Sequence, residues 1–177
     1  MSAPIPPARP AWRAMREQDL SGVVAIADVV HPSFPERIEV MAEKRALWPA
    51  GCFVLADAEA GLIGYAISHP WGARRPAPLD TLLGALPSPE GARWIHDVAL
   101  LPAARGHGWA REPVRRILAD ADAAGAPEAA LVAVYGSDAF WTRFGFRVPP
   151  DAPASLVAEV ARHYGPQARF MVRPIGG

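Results

Sequence analysis

The sequence contains one cysteine, Cys52, no long apolar run and no net charge. A single cysteine excludes a disulfide within the chain, which favours a reducing compartment and predicts a cytoplasmic protein. No apolar stretch approaches the roughly 20 residues that a membrane-spanning helix needs, so we expect no membrane partner. Eighteen basic residues balance eighteen acidic ones. Because such a balance does not attract the chain to a polyanion, we expect no nucleic-acid partner.

Three kinds of site are also missing from the sequence. No spacing of histidine, cysteine, aspartate and glutamate is typical of a metal site, so no metal is predicted. The glycine-containing turn near Gly106 and Gly108 lacks the Lys-Ser/Thr pair of a P-loop. A dinucleotide-binding motif fails as well, because its third glycine would fall at Arg111.

What the chain does contain is enough apolar material for one compact domain. Its 177 residues are 51% hydrophobic and 20% charged, as is usual for globular proteins. Four prolines among the first ten residues predict a flexible tail over residues 1–11. We therefore expect a single domain over residues 12–177.

The spacing of apolar residues predicts strands and helices in mixed order. The predicted strands cover residues 12–15, 52–56, 61–69, 94–101, 131–135 and 170–173. The predicted helices cover residues 20–30, 36–47, 79–86, 110–124 and 138–144. On the second helix, Ile38, Met41 and Ala42 should face inward. This order predicts an α+β or α/β fold around one sheet.

The stretch from Val98 to Ala110 is predicted to be a buried strand, a tight turn and the start of a helix. Gly106 and Gly108 allow the backbone of that turn to approach a ligand closely. Successive amides in such a turn point into one small space, and the helix dipole adds partial positive charge there. The turn is therefore a suitable cradle for an anion such as a pyrophosphate.

This stretch resembles the signature of the GNAT superfamily of acetyltransferases, Arg/Gln-x-x-Gly-x-Gly/Ala after a strand that ends in an apolar-x-Pro step. Arg105, Gly108 and Ala110 occupy the signature positions, and the preceding strand ends in Leu-Leu-Pro. A later Phe-Trp-Thr-Arg-Phe-Gly-Phe stretch at 140–146 is similar to the superfamily's late helix. With similar features in the first strand and first hairpin, the resemblance covers most of residues 12–147.

The resemblance implies a fold and a co-substrate. The fold is a mixed, mostly antiparallel central sheet flanked by helices and splayed between its fourth and fifth strands. Acetyl-CoA is implied to lie in that splay, where an amine of a small molecule or a protein attacks it directly in a ternary complex. The residues implied to bind it are Val98, Ala99 and Leu100 on the strand, Arg105, Gly106, His107, Gly108, Trp109 and Ala110 in the turn, and Trp141 on the late helix.

The match to the superfamily departs at Trp141. Many relatives have a tyrosine at this position that donates a proton to the departing thiolate, and indole has no proton acidic enough for that role. Tyr135 and Ser137 are the nearest alternative donors in sequence. Trp141 itself is expected to pack along the cofactor tail.

His96 is the predicted catalytic base. The serotonin-acetylating branch of the superfamily has a histidine at the matching position, and an imidazole with a pKa near neutrality suits an ammonium substrate. Strand alternation places His96 in phase with Trp94 and Val98, and it predicts that Asp97 points to the opposite face. A polar pair within the sheet remains the alternative interpretation of both residues.

Four further residues are ambiguous. His69 and Trp71 end a predicted strand and are candidates to face a substrate pocket, whereas His31 and Glu36 are expected to be ordinary loop residues. Two functional alternatives also stay open: a non-catalytic acyl-CoA-binding module, and an interaction domain that has lost its cofactor. Dimers are common in the superfamily, so a homodimer is a further option.

Overall fold

The computed structural model of the chain describes residues 9–176. Most of the predicted tail therefore lies outside the described residues, and Ala11 already opens the first strand. The strands are β1 (Ala11–Ala14), β2 (Cys52–Asp57), β3 (Gly61–Trp71), β4 (Ala92–Leu100), β5 (Glu128–Ala133) and β6 (Arg169–Pro174). The helices are α1 (Leu20–Val30), α2 (Ile38–Leu47), α3 (Arg111–Ala123), α4 (Asp138–Thr142) and α5 (Ala154–Tyr164).

The six strands form one sheet in chain order, from β1 to β6. Every neighbouring pair is antiparallel except β4 and β5, which are parallel. Their pairing covers only Arg93 with Ala129 and Trp94 with Ala130. Beyond these pairs β4 continues to Leu100 without contacting β5 in the sheet. The predicted mixed sheet, splayed between its fourth and fifth strands, is therefore confirmed.

Helices cover both faces of this sheet. The core under α3 includes the buried residues Leu55, Ile95, Val114, Ile117, Leu131 and Met171. The core under α1 and α2 includes Val23, Met41, Val54, Tyr65 and Ile67. The core under α5 includes Trp94, Leu156, Val160 and Phe170. Neighbouring residues such as Phe170 and Met171 belong to different cores, because side chains alternate across a pleated strand.

The second helix begins two residues later than predicted. The residue before Ile38 has an extended backbone, and the Glu36 side chain is buried in contacts with other elements. Ile38 is 41% exposed, whereas Val40, Met41 and Lys44 are buried. The predicted inward position of Ile38 is wrong. Lys44 follows Val40 by four residues and Met41 by three, so these three side chains share the buried face of the helix and Ile38 lies outside it.

The excursion between β3 and β4, residues 72–91, contains no helix, so the predicted helix over 79–86 is wrong. The amides of Leu83 and Gly84 donate to the carboxylate of Glu43 rather than to carbonyls of a helical turn. Prolines on both sides of the segment also shorten any helix that could form there. The excursion is therefore held against α2 by side chains.

Two differences lie near the C-terminal end. β5 ends at Ala133, two residues before the predicted end, and Tyr135 then adopts a positive φ of 54°. α5 is absent from the sequence-based assignment, although Leu156 and Val160 repeat at helical spacing and are buried. The helix ends at Tyr164 and is capped by Gly165, whose φ is 90°.

The glycine before β2 is required by close packing. A Cβ at Gly51 would overlap the carbonyl oxygen of Ser68 on β3. We expect Gly51→Ala to lower the free energy of unfolding by about 1–3 kcal/mol, because a backbone atom cannot move aside cheaply. Gly72→Ala is the control, since its Cβ would lie 4.0 Å from the nearest atom. Urea unfolding measures both variants, and an equal loss in the two would contradict the tight contact.

Candidate active site

A cavity of about 380 Å³ lies between the splayed ends of β4 and β5. Its walls come from the C-terminal half of β4, the end of β5, the start of α4 and the segment that joins α1 to α2. Leu79 of the excursion, Tyr164 of α5, and Arg105 and Ala110 of the turn before α3 also line it. Paired strands lie only about 5 Å apart, so this space exists because β4 and β5 stop pairing.

The turn at residues 105–110 presents open backbone amides beside the cavity. Gly106 and Gly108 have positive φ values of 82° and 78°, and a Cβ at either would meet no atom within 4 Å. Within the described residues, the amides of 106–110 donate no hydrogen bond. α3 begins directly after the turn, so the positive end of its dipole lies there. Free donors, open space and a helix start together fit a diphosphate group.

The edge of β4 offers further main-chain groups to the cavity. The Leu101 amide donates to the Ile63 carbonyl of β3 at 2.9 Å. Because hydrogen bonding alternates along an antiparallel pair, the main-chain groups of Val98 and Leu100 face the opposite edge, toward the splay. The Leu100 carbonyl accepts from Arg105 Nε at 3.1 Å. Val98 is therefore left with both a donor and an acceptor for a ligand.

A β-bulge in β4 brings two titratable side chains into the cavity. Ile67 of β3 pairs with Asp97 and Ser68 pairs with Ile95, so His96 between them has no partner. An extra residue of this kind interrupts the alternation of side chains along a strand. His96 and Asp97 consequently line the same cavity, and both contact the segment that joins α1 to α2. The predicted opposite orientation of Asp97 is wrong for this reason.

His96 forms the first of two histidine–carboxylate pairs. Its Nε2 lies 2.6 Å from Oε1 of Glu36, and the two side chains are 2% and 6% exposed. Oε2 of Glu36 lies 3.3 Å from the buried Lys44 ammonium and accepts the Asp80 amide at 3.0 Å. Burial raises the pKa of Glu36, but His96 and Lys44 outweigh burial and lower that pKa to about 2. Glu36 is therefore ionised at neutral pH. Because Glu36 occupies Nε2 of His96, Nδ1 is the ring nitrogen left for a ligand.

Asp97 forms the second pair. Its Oδ1 lies 3.0 Å from Nε2 of His31, and its Oδ2 accepts the Tyr65 hydroxyl. Burial lowers the pKa of His31, but the hydrogen bond and charge of Asp97 more than reverse this, so the net pKa is raised. Burial and Asp97 also raise the pKa of Tyr65. Nδ1 of His31 is buried and has no partner among the described residues.

The residues predicted to bind the cofactor fall in two places. Lining the cavity are Val98, Ala99, Leu100, Arg105, Ala110 and Trp141. Lining a second hollow on the outer side of the turn are His107, Gly108 and Trp109, together with Arg111, Arg115 and Arg116. Gly106 lines neither space, and the Trp109 side chain packs against the core under α3. The Trp109 carbonyl accepts from Trp12 Nε1 at 2.8 Å, so its amide is the main-chain group left for a ligand in the turn.

The two alternative proton donors, Tyr135 and Ser137, both line the cavity. Tyr135 is 61% exposed, and its ring stacks on His31 with the ring centroids 5.7 Å apart. Its positive φ is uncommon for a residue with a side chain. Trp141 is 8% exposed and packs edge-on against Phe146. The indole is therefore part of the cavity wall and of the core behind it.

Sequence reasoning misjudged or missed several lining residues. His31 and Glu36, expected to be loop residues, line the cavity, whereas His69 is fully buried behind it. Burial and the charge of His96 lower the pKa of His69 to about 3. Phe34 lies in a proline-rich segment without periodicity, so no sequence signal marks it. Tyr164 could have been found from the apolar spacing of α5.

The described residues offer neither a clustered metal-binding set nor a membrane-spanning helix. Between residues 9 and 176, no group of three or more His, Cys, Asp or Glu side chains is placed to hold a metal ion. The helices of the same part of the chain all lack the length and apolar character needed to cross a bilayer.

The buried Glu36 carboxylate makes stability sensitive to acid. Its pKa falls from 4.5 to about 2 on folding, so its ionised form contributes stability that is complete above pH 4.5 and is lost as the pH falls through about 2. We expect Glu36→Gln to cost about 3–5 kcal/mol of unfolding free energy at neutral pH, because Lys44 is left without a counter-charge. The difference in unfolding free energy between the parent protein and Glu36→Gln should narrow as the pH falls below 4.5.

Urea unfolding from neutral pH down to about pH 3 measures this effect, with the exposed Glu39→Gln as the control. Glu39→Gln should parallel the parent protein across the range. A difference between Glu36→Gln and the parent protein that stays constant with pH would contradict the assignment of Glu36 as a buried, ionised carboxylate.

The chain was compared with known families and solved structures. The sequence profile of the acetyltransferase (GNAT) family matches residues 17–146. A GNAT family acetyltransferase from Brucella melitensis, solved in complex with acetyl-CoA, is 20% identical, and the alignment covers 96% of this chain and 90% of that chain with a TM-score of 0.58. No curated protein sequence matches significantly.

Two further solved structures share the fold. Naa20 from Chaetomium thermophilum, in complex with a bisubstrate analogue, is 22% identical over 93% of this chain and 86% of that chain, with a TM-score of 0.66. The loading GNATL domain of CurA from Lyngbya majuscula is 12% identical over 94% of this chain and 98% of that chain, with a TM-score of 0.73. Because the family profile spans most of the sequence, this chain belongs to the acetyltransferase (GNAT) family.

Proposed function

We propose that this chain is an N-acetyltransferase that transfers an acetyl group from acetyl-CoA to a primary amine. The observation that carries the proposal is one continuous cavity that holds an open strand edge, borders an open amide turn and contains a buried His96–Glu36 pair. The first two features suit a nucleotide thioester, and the third suits deprotonation of an amine. Residues 12–177 would form the acyltransferase domain.

The residues present fit coenzyme A. The amides of residues 106–110 would hold its pyrophosphate, since they are free and lie directly before α3. Val98 and Leu100 would hold the pantetheine arm along the open edge of β4, and Trp141 would pack beside it. The Brucella melitensis protein with the same fold was solved with acetyl-CoA. When bound, acetyl-CoA supplies the acetyl group as a reactive thioester.

His96 is the proposed base. Nε2 of His96 lies 2.6 Å from Oε1 of Glu36, so Nδ1 is the ring nitrogen that would accept a proton from a substrate. A substrate ammonium that enters the cavity would lose its proton to this nitrogen and become a nucleophile. Glu36 then stabilises the imidazolium that forms, as carboxylates do for other catalytic histidines.

The free main-chain groups and nearby hydroxyls complete the proposed site. The Val98 amide can donate to a carbonyl oxygen placed along the strand edge, which orients that carbonyl and stabilises negative charge on it. Tyr135 or Ser137 would return a proton to the leaving thiol, since both line the cavity and Trp141 cannot do so. The reaction as a whole converts a thioester and an amine into an amide and a free thiol.

Binding of acetyl-CoA tests the turn. We expect calorimetric titration with acetyl-CoA to give saturable binding, and Gly108→Ala to weaken it about tenfold or more because the turn must adopt a positive φ. Gly125→Ala is a matched control: Gly125 also has a positive φ, of 71°, and open space around it, but it ends α3 far from the turn in sequence. Both variants should lose similar stability.

Equal binding by the two glycine variants would show that the turn at 105–110 holds no ligand. Failure of the parent protein to bind either acetyl-CoA or CoA while remaining folded would contradict the proposed function itself. In that case the family resemblance would extend to the fold alone.

Turnover tests the base. We expect His96→Gln to lower kcat by about 100-fold or more while leaving acetyl-CoA affinity nearly unchanged, because glutamine can donate to Glu36 but cannot accept a proton. Release of thiol measures turnover, and calorimetry measures affinity. His163→Gln is the control, since His163 is exposed on α5. Unchanged turnover in His96→Gln would remove His96 from the mechanism.

A further inference from the structure

We infer that the acceptor is a small primary amine on a ring-sized apolar skeleton without a carboxylate, rather than an amino acid or a peptide N-terminus. The inference rests on the proposed function and concerns the part of the cavity away from the turn. Val30, His31, Phe34, Leu79, Tyr135 and Tyr164 line that part. Three properties of this region carry the inference: its charge, its aromatic wall and the apolar side chains around it.

The charges at this end favour a cation and reject an anion. Glu36 and Asp97 both face the cavity, and both carboxylates belong to ion pairs. Among the described residues that line the cavity, Arg105, His31 and His96 can carry a positive charge. His96 is paired with Glu36 and is the proposed base for the amine. Arg105 is bonded to the Leu100 carbonyl on the cofactor side. A carboxylate on the acceptor would therefore enter this end without a free cation.

His31 cannot supply the missing cation. Its Nε2 is committed to Asp97, and its Nδ1 is buried below the surface of the cavity. Lys44 is fully buried against Glu36 and does not line the cavity. Burying an unpaired carboxylate is strongly unfavourable, so a zwitterionic amino acid should be a much poorer acceptor than the corresponding amine.

The opposite wall is aromatic. Phe34 lies between Tyr135 and Tyr164, with ring centroids 5.8 Å from each. Tyr164 is fixed in place because its hydroxyl donates to the Ala77 carbonyl of the excursion at 3.3 Å. Aromatic rings in this arrangement stack well on a further ring. Leu79 adds an aliphatic surface beside them.

The size of the cavity and the nature of its walls favour a small acceptor over a peptide. The 380 Å³ must accommodate both the acetyl end of the donor and the acceptor. An apolar cavity of about 150 Å³ is enough for a benzene ring, whereas each peptide unit brings a donor and an acceptor that need partners. The side chains of Phe34 and Leu79 offer no such partners, and the excursion that carries Leu79 is tied down through Asp80 and Glu36.

Four acceptors separate the alternatives in a thiol-release assay with acetyl-CoA. 2-Phenylethylamine carries the preferred features, and L-phenylalanine adds only a carboxylate. Ethylamine removes the ring, and a tripeptide amide that begins with phenylalanine replaces the carboxylate by a peptide chain. We expect kcat/KM for 2-phenylethylamine to exceed that for L-phenylalanine and for the peptide by at least about 100-fold, and that for ethylamine by about tenfold.

A matched pair of variants ties the preference to this end of the cavity. Leu79 lines the cavity, whereas Leu82 on the same excursion is 53% exposed and does not. Leu79→Ala should raise the Kd of 2-phenylethylamine about tenfold, measured by calorimetry on protein saturated with CoA. Leu82→Ala should leave this Kd unchanged. Both variants should bind acetyl-CoA like the parent protein.

The outcomes separate failure of this inference from failure of the proposed function. Comparable or higher kcat/KM for the peptide or L-phenylalanine would overturn the acceptor class while leaving an N-acetyltransferase in place. Acetyl-CoA binding without thiol release by any of the four amines would also overturn the acceptor class. An equal effect of Leu79→Ala and Leu82→Ala would do the same. Only the absence of acetyl-CoA binding would contradict the proposed function.

Discussion

Main-chain hydrogen bonding between β4 and β5 ends after two residue pairs, and the site depends on that ending. Continued pairing would close the cavity and satisfy the edge groups of Val98. A main-chain hydrogen bond contributes about 0.5–1.5 kcal/mol, so the sheet gives up stability along this edge. The antiparallel pairing of β3 with β4 holds the strand in place nevertheless. A ligand with complementary groups would recover the lost hydrogen bonds on binding, and it would stabilise the fold by doing so.

The bulge at His96 supplies the polar side of the cavity. Without the extra residue, strand alternation would direct His96 and Asp97 to opposite faces of the sheet. With it, each side chain meets a residue of the short segment that joins α1 to α2, Glu36 in one case and His31 in the other. The two histidine–carboxylate pairs thus lie side by side, and β4 contributes one residue to each of them.

Sequence reasoning predicted the parts of the site that depend on local backbone conformation. The turn at 105–110 could be recognised because positive φ at Gly106 and Gly108 and a following helix are properties of adjacent residues. The orientation of Asp97 could not be predicted, because the bulge depends on the register between β3 and β4. The burial of Glu36 likewise depends on His96, which is distant in the chain, and on Lys44 of α2.

Glu36 couples recognition of the acceptor to the proposed base. One oxygen of its carboxylate binds His96, and the other binds Lys44 and the Asp80 amide of the excursion. Since the excursion also carries Leu79 into the cavity, a shift of this segment would change both the aromatic end of the site and the carboxylate that orients the imidazole. If the chain has the proposed function, acceptor preference and turnover would therefore not be independent properties. Evolution of a new acceptor preference through the excursion would need to preserve the Asp80–Glu36 hydrogen bond.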